Sequence, residues 1–368
     1  MTVRRRVFHD VRAGYRGQAA GILASVRRVL ESGRYILDRE VERFEREFAR
    51  YLGVPHVVGT SSGTAALELA LRALDVGAGH EVVVPALTAP ATAMAVLAVG
   101  ARPVFADIDP ATYTLEPAAL ERALSRRTRA VIPVHLYGQC ADMAAIGRHA
   151  AAAGVPVIED AAQAQGARHR GRRAGTLGRL ACFSFYPTKN LGAYGDAGAV
   201  ATRDGALAAR LRRLRVYGQS GAFAFDEPGL NARLDELQAA ILRQKLRTLE
   251  RGNARRRAHA ARYRRGIRAA GVVLPVEAPG CHHVYHQFVV RTGARDRLRA
   301  HLAARGIESL LHYPRALHQL AALQGRGRVV GPPREAARAA AEVLSLPIYP
   351  ELPPSVLRAV IAAVNAFG

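Results

Sequence analysis

Nearly every basic position in this chain of 368 residues, with its 53 Lys+Arg, is an arginine, and only Lys189 and Lys245 keep an amine. A guanidinium stays protonated and is a poor nucleophile, whereas a lysine that loses hydration can shed its proton and attack a carbonyl to form a Schiff base. Lys189 follows the aromatic run Phe183-Ser184-Phe185-Tyr186-Pro187-Thr188 and precedes the glycine-rich turn Leu191 to Gly198, a setting that points to amine chemistry. Lys245 lies in a basic helical stretch and reads as a surface cation.

Asp160 ends the apolar run Val155-Pro156-Val157-Ile158, which places a carboxylate at the carboxyl end of a core strand. A carboxylate buried there needs a cationic partner; the plainer alternative is an N-cap ahead of Ala161-Ala162-Gln163. The small-residue turn Gly59-Thr60-Ser61-Ser62-Gly63-Thr64 leads into a helix with Leu67, Leu71 and Leu74 on one face. Exposed amides and hydroxyls at such a helix start can hold a phosphate, although caps of this composition are common. It matches neither a Walker A nor a GxGxxG pattern. Cradle, aspartate and lysine, in that order, suggest a pyridoxal-phosphate enzyme, in which the aspartate keeps the ring nitrogen protonated and the ring accepts electrons.

The elements that must position these groups alternate. Short apolar runs HVVGT (56 to 60), EVVVPA (81 to 86), RPVFADI (102 to 108), RAVIPVH (129 to 135) and PVIEDA (156 to 161) are separated by amphipathic stretches, which predicts a mainly parallel sheet covered on both faces, with ligands at the strand carboxyl ends. ACFSFY (181 to 186) and GAVATR (198 to 203) add two strands. A long helical segment from about 234 to 267 leads to strands near 272–276, 285–291 and 309–313, a helix over 295–305 and two terminal helices. This predicts a large α/β domain over 1–245 and a smaller α+β domain over 246–368. The segment Gln324 to Pro333 reads as the most flexible loop.

The composition, 49% hydrophobic and 23% charged, is globular and excludes disordered or fibrous chains. The formal net charge is +23, densest from Arg243 to Arg268, where only Glu250 opposes the basic residues. A polyanion could bind there, but no helix-turn-helix, zinc-finger or RNP pattern accompanies it, so nucleic acid is not the expected partner. Cys140, Cys182 and Cys281 are far apart, with no disulfide or metal spacing. No apolar run reaches membrane-spanning length, and the basic N-terminus lacks a signal core. The expectation is a soluble cytoplasmic protein without a metal site.

The chain resembles the DegT/DnrJ/StrS family of pyridoxal-phosphate-dependent sugar aminotransferases through SGRYILDREVERFEREFARYLGV (32 to 54), GTSSGTAALELAL (59 to 71), VIEDAAQAQGA (157 to 167), FSFYPTKNLGAYGDAGAV (183 to 200), LNARLDELQAAIL (230 to 242), HYP (312 to 314) and LSLPIYPEL (344 to 352). The resemblance implies the fold type I, aspartate-aminotransferase-like architecture, with a mainly parallel seven-stranded sheet. It implies that Lys189 holds the cofactor and shuttles the proton, that Asp160 pairs with the pyridine nitrogen and that Gln163 lies beside the phenolic oxygen. Gly63, Thr64 and Ser184 are then the phosphate residues, joined by Asn231 of the other subunit of a homodimer. His312, Tyr313 and His318, in HYPRALH, are similar to the family's sugar-nucleotide loop, or else form a strand end packed on its own domain.

Two positions depart from the family pattern. Ala89 stands where an aromatic usually stacks on the cofactor ring, a contact worth about 0.5–1.5 kcal/mol. Asp38 replaces a glycine that would allow positive φ. Some family members carry histidine at the lysine position and dehydrate sugars, so Lys189 implies transamination, from an amino acid such as L-glutamate. The turn KNLGAYGDAG is more similar to the C3-aminating branch than to the C4 branch, which implies a dTDP-type 3-keto-6-deoxyhexose as acceptor. A 4-keto nucleotide sugar, a keto-cyclitol of scyllo-inosose type, or a non-catalytic polyanion-binding regulator on the same scaffold are the alternatives.

Overall fold

The computed structural model describes residues 6–367. Its central sheet uses β1 (His56–Thr60), β2 (Glu81–Pro85), β3 (Arg102–Ala106), β4 (Thr128–Val131), β5 (Ile158–Asp160), β6 (Leu180–Ser184) and β7 (Gly198–Thr202). β2 lies between β3 and β4, and parallel bridges Val131 to Val157 and Val134 to Asp160 join β4 to β5. β5 pairs with β6, then β7 and β1 complete the order β3-β2-β4-β5-β6-β7-β1. Only β7 runs against the others, so the seven-stranded, mainly parallel sheet of a fold type I transferase is present.

β2 and β7 are buried at every position, as strands covered on both faces must be. One cover is the helix Arg39–Leu52, whose Phe44 and Phe48 meet Phe185 and Phe183 edge-on, with centroids 5.3 and 5.0 Å apart. On the other side lies the helix Gly63–Ala73, which buries Ala66, Leu67, Leu69, Ala70 and Leu71. The helix Arg39–Leu52 is capped from a distance, because Glu236 accepts the N–H groups of Asp38, Glu40 and Val41 at 2.8–2.9 Å. Asp38 has φ −118°, and the positive φ falls on Leu37 instead, so Asp38 carries no left-handed strain.

The long helical segment is two helices, Glu236–Leu246 and Leu249–Gly266. Beyond them the antiparallel strands Phe288–Arg291 and Val343–Leu346 pack with the helices Arg295–Ala304 and Pro354–Asn365 around Tyr263, Phe288, Leu302 and Val360. The strands expected near 272–276 and 309–313 reduce to the single bridges Val273 to Arg291 and Leu310 to Ser345. Residues 317–343 return to the large sheet, burying Leu317, Leu323, Ala336 and Ala340 in its core.

The segment Gln324 to Pro333 is not a free loop. Arg328–Val329 pairs in parallel with β3 as an eighth strand, because Arg328 reaches the buried Glu81 (2.9 Å) and the carbonyl of Ala123 (2.7 Å). Among the described residues no helix is long and apolar enough to cross a membrane, and no His, Cys, Asp or Glu cluster is arranged for a metal ion.

Candidate active site

Asp160 closes β5 with its backbone locked to β4: its N–H donates to Pro133 O and its carbonyl accepts from His135 N–H, both at 3.0 Å. The side chain is 5% exposed. Thr92 Oγ1 donates to Oδ2 at 2.8 Å and the Ala162 N–H to Oδ1 at 3.1 Å. Burial pushes the carboxyl pKa up, and the Thr92 and Ala162 donors and the Lys189 charge oppose it. The bond to Ala162 satisfies the turn-capping alternative too; a turn rather than a helix follows.

Lys189 is half-buried at the end of the aromatic strand segment, its N–H bonded to Tyr186 O at 2.8 Å. Burial pushes its amine down to about 8, with the Asp160 carboxylate opposing. The cradle forms where Ser62 caps the helix Gly63–Ala73 by accepting the Ala65 N–H (3.1 Å). A Cβ at Gly63 would lie 2.7 Å from Ser184 Cβ, so only glycine lets this turn close on β6.

Gly63, Thr64, Asp160, Gln163, Ser184 and Lys189 line one cleft at the carboxyl edge of the sheet. Gln163 is held by the Tyr137 N–H on its Oε1 (2.8 Å) and donates from Nε2 to Tyr313 Oη (3.1 Å), which brings Tyr313 against the cleft. His312 is turned into its own domain, with Nδ1 2.9 Å from Ser345 Oγ, and its carbonyl accepts the Tyr137 hydroxyl. Burial lowers its pKa to about 4, helped by the Lys189 charge. His318 sits on the short turn Leu317–Gln319, anchored by the Leu317 N–H to Ala86 O (2.7 Å), and lies outside the cleft lining. Asn231 is exposed and bridged to Val216, also away from the cleft of its own chain.

Some contributors carry no sequence signal. Thr92 is one of several small residues in a helix start, and only the fold aims it at Asp160. His135 and Glu159 form a fully buried pair at 2.9 Å behind β5, which the adjacent acids Glu159 and Asp160 at a strand end could have flagged. Asn190, next to Lys189, is fixed by Asn253 (2.8 Å) and by His286 (3.2 Å).

The basic segment resolves into separate contacts. Arg243 bonds Glu40 and Glu47 at 2.6 Å, Arg257 bonds Glu277 at 2.6 Å, and the buried Arg256 donates to the carbonyls of Tyr285, His286 and Ile348. Lys245 is not the surface cation expected. It is half-buried, with Nζ 4.5 Å from the Tyr194 ring centroid, and burial pushes its amine down to about 8.

The cleft fits pyridoxal phosphate. Among the described residues Asp160 has only neutral donors in hydrogen-bond contact, which suits a ligand with a cationic ring edge, and the buried Thr88 Oγ1 has no partner. Gly63, Thr64 and Ser184 lie together on the cleft wall where a helix N-terminus meets the end of β6. Ala89 is half-buried on the cleft wall.

Comparison with known proteins agrees with this geometry. The chain is 49% identical over 98% of its length, and 96% of the relative's, to the dTDP-3-amino-3,4,6-trideoxy-alpha-D-glucose transaminase of Streptomyces venezuelae. The crystal structure of DesV from S. venezuelae in complex with a ketimine intermediate superposes with a TM-score of 0.96 at 49% identity, covering 98% of both chains. NtdA from Bacillus subtilis with bound cofactor PMP superposes with a TM-score of 0.90 at 29% identity, covering 99% of this chain and 86% of the other. The model of one family matches residues 18–365. With the cofactor cleft, the retained lysine and a match over nearly the full length, the chain belongs to the DegT/DnrJ/EryC1/StrS aminotransferase family.

Proposed function

We propose that the chain moves an amino group from an amino acid, L-glutamate first, to the C3 ketone of a nucleotide-diphosphate 6-deoxyhexose of dTDP type. The observation that carries this reading is Lys189 beside Asp160 in one buried cleft with the Gly63 to Ser184 cradle. The near full-length relative that acts on a dTDP-amino sugar supports the acceptor class. Bound pyridoxal phosphate supplies the carbonyl and the electron-withdrawing ring.

The chain's own residues do the rest. Lys189 holds the cofactor through its amine and, once displaced, carries the proton to and from the reacting substrate carbon, a task suited to a pKa of about 8. Asp160 keeps a proton on the pyridine nitrogen. Gln163 sits beside the phenolic oxygen, and Gly63, Thr64 and Ser184 take the phosphate with Asn231 of a partner subunit. In this reading Asn231 is exposed because it serves a second copy, which makes the working unit a homodimer. Tyr313, joined to Gln163, borders the sugar; His312 and His318 support that loop from behind.

The test is the visible spectrum of the holoenzyme before and after L-glutamate. Incubation with 3-keto and 4-keto dTDP-sugars and a keto-cyclitol follows, with mass detection of the amine. A spectral change with glutamate and an amine on the 3-keto sugar is the expected result. An amine on the cyclitol alone would replace the acceptor, and salt-sensitive DNA binding that survives loss of Lys189 would restore the polyanion reading.

A further inference from the structure

We propose that Arg215 and Glu45 are positioning residues for the phosphate side of two cofactor sites at once: that of their own chain, through the turn Gly59 to Ser62, and that of a second copy, through Asn231. The second half rests on the reading above in which Asn231 serves a partner subunit; the first half needs only the cofactor.

β1 is the last strand of the sheet and has β7 on one side. The other side of such a strand presents a row of N–H and C=O groups, and where these are buried they need partners. At the buried Gly59 the N–H donates to Glu45 Oε1 at 2.8 Å and the carbonyl accepts from Arg215 Nη1 at 2.9 Å. Two residues on, the same edge continues with the Ser61 N–H donating to Ala232 O at 3.1 Å. The next residue, Ser62, caps the helix whose first turn carries Gly63 and Thr64.

Arg215 joins the two covers of this edge. It follows the helix Gly205–Leu214, its Nη1 lies 2.5 Å from Glu45 Oε1, and its carbonyl accepts the Ala232 N–H at 3.0 Å. The Leu230 N–H donates to Leu214 O (2.7 Å) and the Tyr217 N–H to Leu230 O (2.9 Å), so the backbone on both sides of Asn231 is pinned to the Arg215 turn. The side chain of one residue therefore grips the strand that leads into the phosphate cradle, and its backbone grips the segment that presents Asn231.

Edge cover alone does not call for this chemistry. The Arg215 and Glu45 side chains are 9% and 11% exposed, and withdrawing two charges from water is costly unless the geometry compensates. Arg215 Nε is buried without a partner among the described residues, a further cost. Apolar side chains would cover the edge more cheaply, but they cannot hold both polar groups of Gly59. A Cβ at Gly59 would lie 2.8 Å from Leu234 Cδ2, so the strand end has no slack against residues 232–234. What the pair supplies is placement: it fixes Gly59 just ahead of the Ser62 cap and so aims the helix-start amides at the phosphate.

The test is borohydride-trapped attachment to Lys189, in cofactor-free protein, of pyridoxal phosphate and of pyridoxal, which differ only in the phosphate. The ratio of the two rates reads the phosphate contacts and cancels changes in Lys189 or in the folded fraction. Arg215→Met should lower the ratio on the order of tenfold, as expected when the support of charged hydrogen bonds is lost. Arg215→Lys keeps a charge for Glu45 without the planar fork and should fall between. Arg215→Met/Glu45→Gln, which buries no lone charge, should show the same loss and replaces Arg215→Met if that variant does not fold. Mixed dimers of a Lys189→Ala chain with a Lys189-bearing chain separate the two halves. Their one attachable site uses the cradle of the Lys189-bearing chain and Asn231 of the other, and Arg215→Met on either chain should lower the ratio.

An unchanged ratio in every variant overturns the proposal and leaves Arg215 and Glu45 as edge cover, whichever acceptor the enzyme aminates. Slower attachment of both compounds with the ratio held marks a structural role and overturns it too. A fall only when Arg215→Met lies on the Lys189-bearing chain overturns the Asn231 half. If the chains form no dimers, the homodimer reading and the Asn231 half fail together, while a lowered ratio still supports the cradle half.

Discussion

Thr92 Oγ1 donates a 2.8 Å hydrogen bond to Oδ2 of Asp160 from a helix 68 residues earlier in the chain. Among the described residues it is the one side-chain hydroxyl bonded to that carboxylate, and it favours the ionised form against the burial that disfavours it. Thr92→Val keeps the shape and removes the donor. Hydrogen bonds to charged groups are worth about 1.5–3 kcal/mol, so pyridoxal phosphate affinity should fall on the order of ten- to a hundredfold. Titration of the cofactor-free protein by absorbance measures it; unaltered affinity would make Thr92 a packing residue only.

Lys189 should set a pH profile. Its amine is depressed from 10.5 to about 8 by burial. In the cofactor-free protein, borohydride-trapped attachment of pyridoxal phosphate should therefore speed up with pH and level off above about 8. Asp160→Asn removes the charge that raises this pKa, so the midpoint should move lower. Stability follows the same shift: between about 8 and 10.5 the unfolded chain binds the proton that the folded chain has lost, so this group's contribution rises with pH across that window and is lost below it. Lys189→Arg abolishes attachment at every pH, and a midpoint near 10.5 would contradict the burial argument.

Ala89 offers a gain-of-function test. It lines the cofactor cleft, half-buried, just ahead of the helix Pro90–Ala98. A ring at this position adds about 0.5–1.5 kcal/mol of stacking, so Ala89→Tyr should tighten cofactor binding about two- to tenfold. Slower cofactor release on dilution would report it. Weaker binding would mean that other groups already fill this space.

What the sequence made legible were positions whose residue type is unusual for their surroundings. Lys189 stood out against arginine, Asp160 against an apolar strand, and Gly63 within a run of small residues before an amphipathic helix. These are local signals, and the alternation of strands and helices around them is also local. What stayed hidden depends on contacts between distant segments. Residues 324–333 carry the glycines and prolines of a loop, yet Arg328 finds a buried acid 247 residues away and makes a strand. Lys245 looked solvated because its neighbours in sequence are basic, while its neighbours in space are Tyr194 and Glu351. Glycine seemed needed at position 38, but the strained φ belongs to Leu37.

The buried pair behind Asp160 should control both stability and the site. Glu159 accepts the N–H groups of Gly175 (2.8 Å), Leu177 (2.6 Å) and Gly178 (2.7 Å), tying the turn after the Arg172–Arg173 strand to β5. Its fourth partner is His135, whose Nδ1 takes the Ala141 N–H (3.2 Å) and whose Nε2 therefore donates to Glu159 at 2.9 Å. Glu159→Ala strands three amides and an imidazole in the interior, and breaking a buried pair of this kind costs about 3–5 kcal/mol. The denaturation midpoint should drop accordingly. Glu159→Gln keeps the shape and some acceptors, so its loss should be smaller. Because β5 presents Asp160 at the next residue, cofactor affinity should fall in the same order, with Glu159→Ala below Glu159→Gln below the unaltered chain. A stability loss with cofactor affinity untouched would show that β5 holds Asp160 without help from this pair.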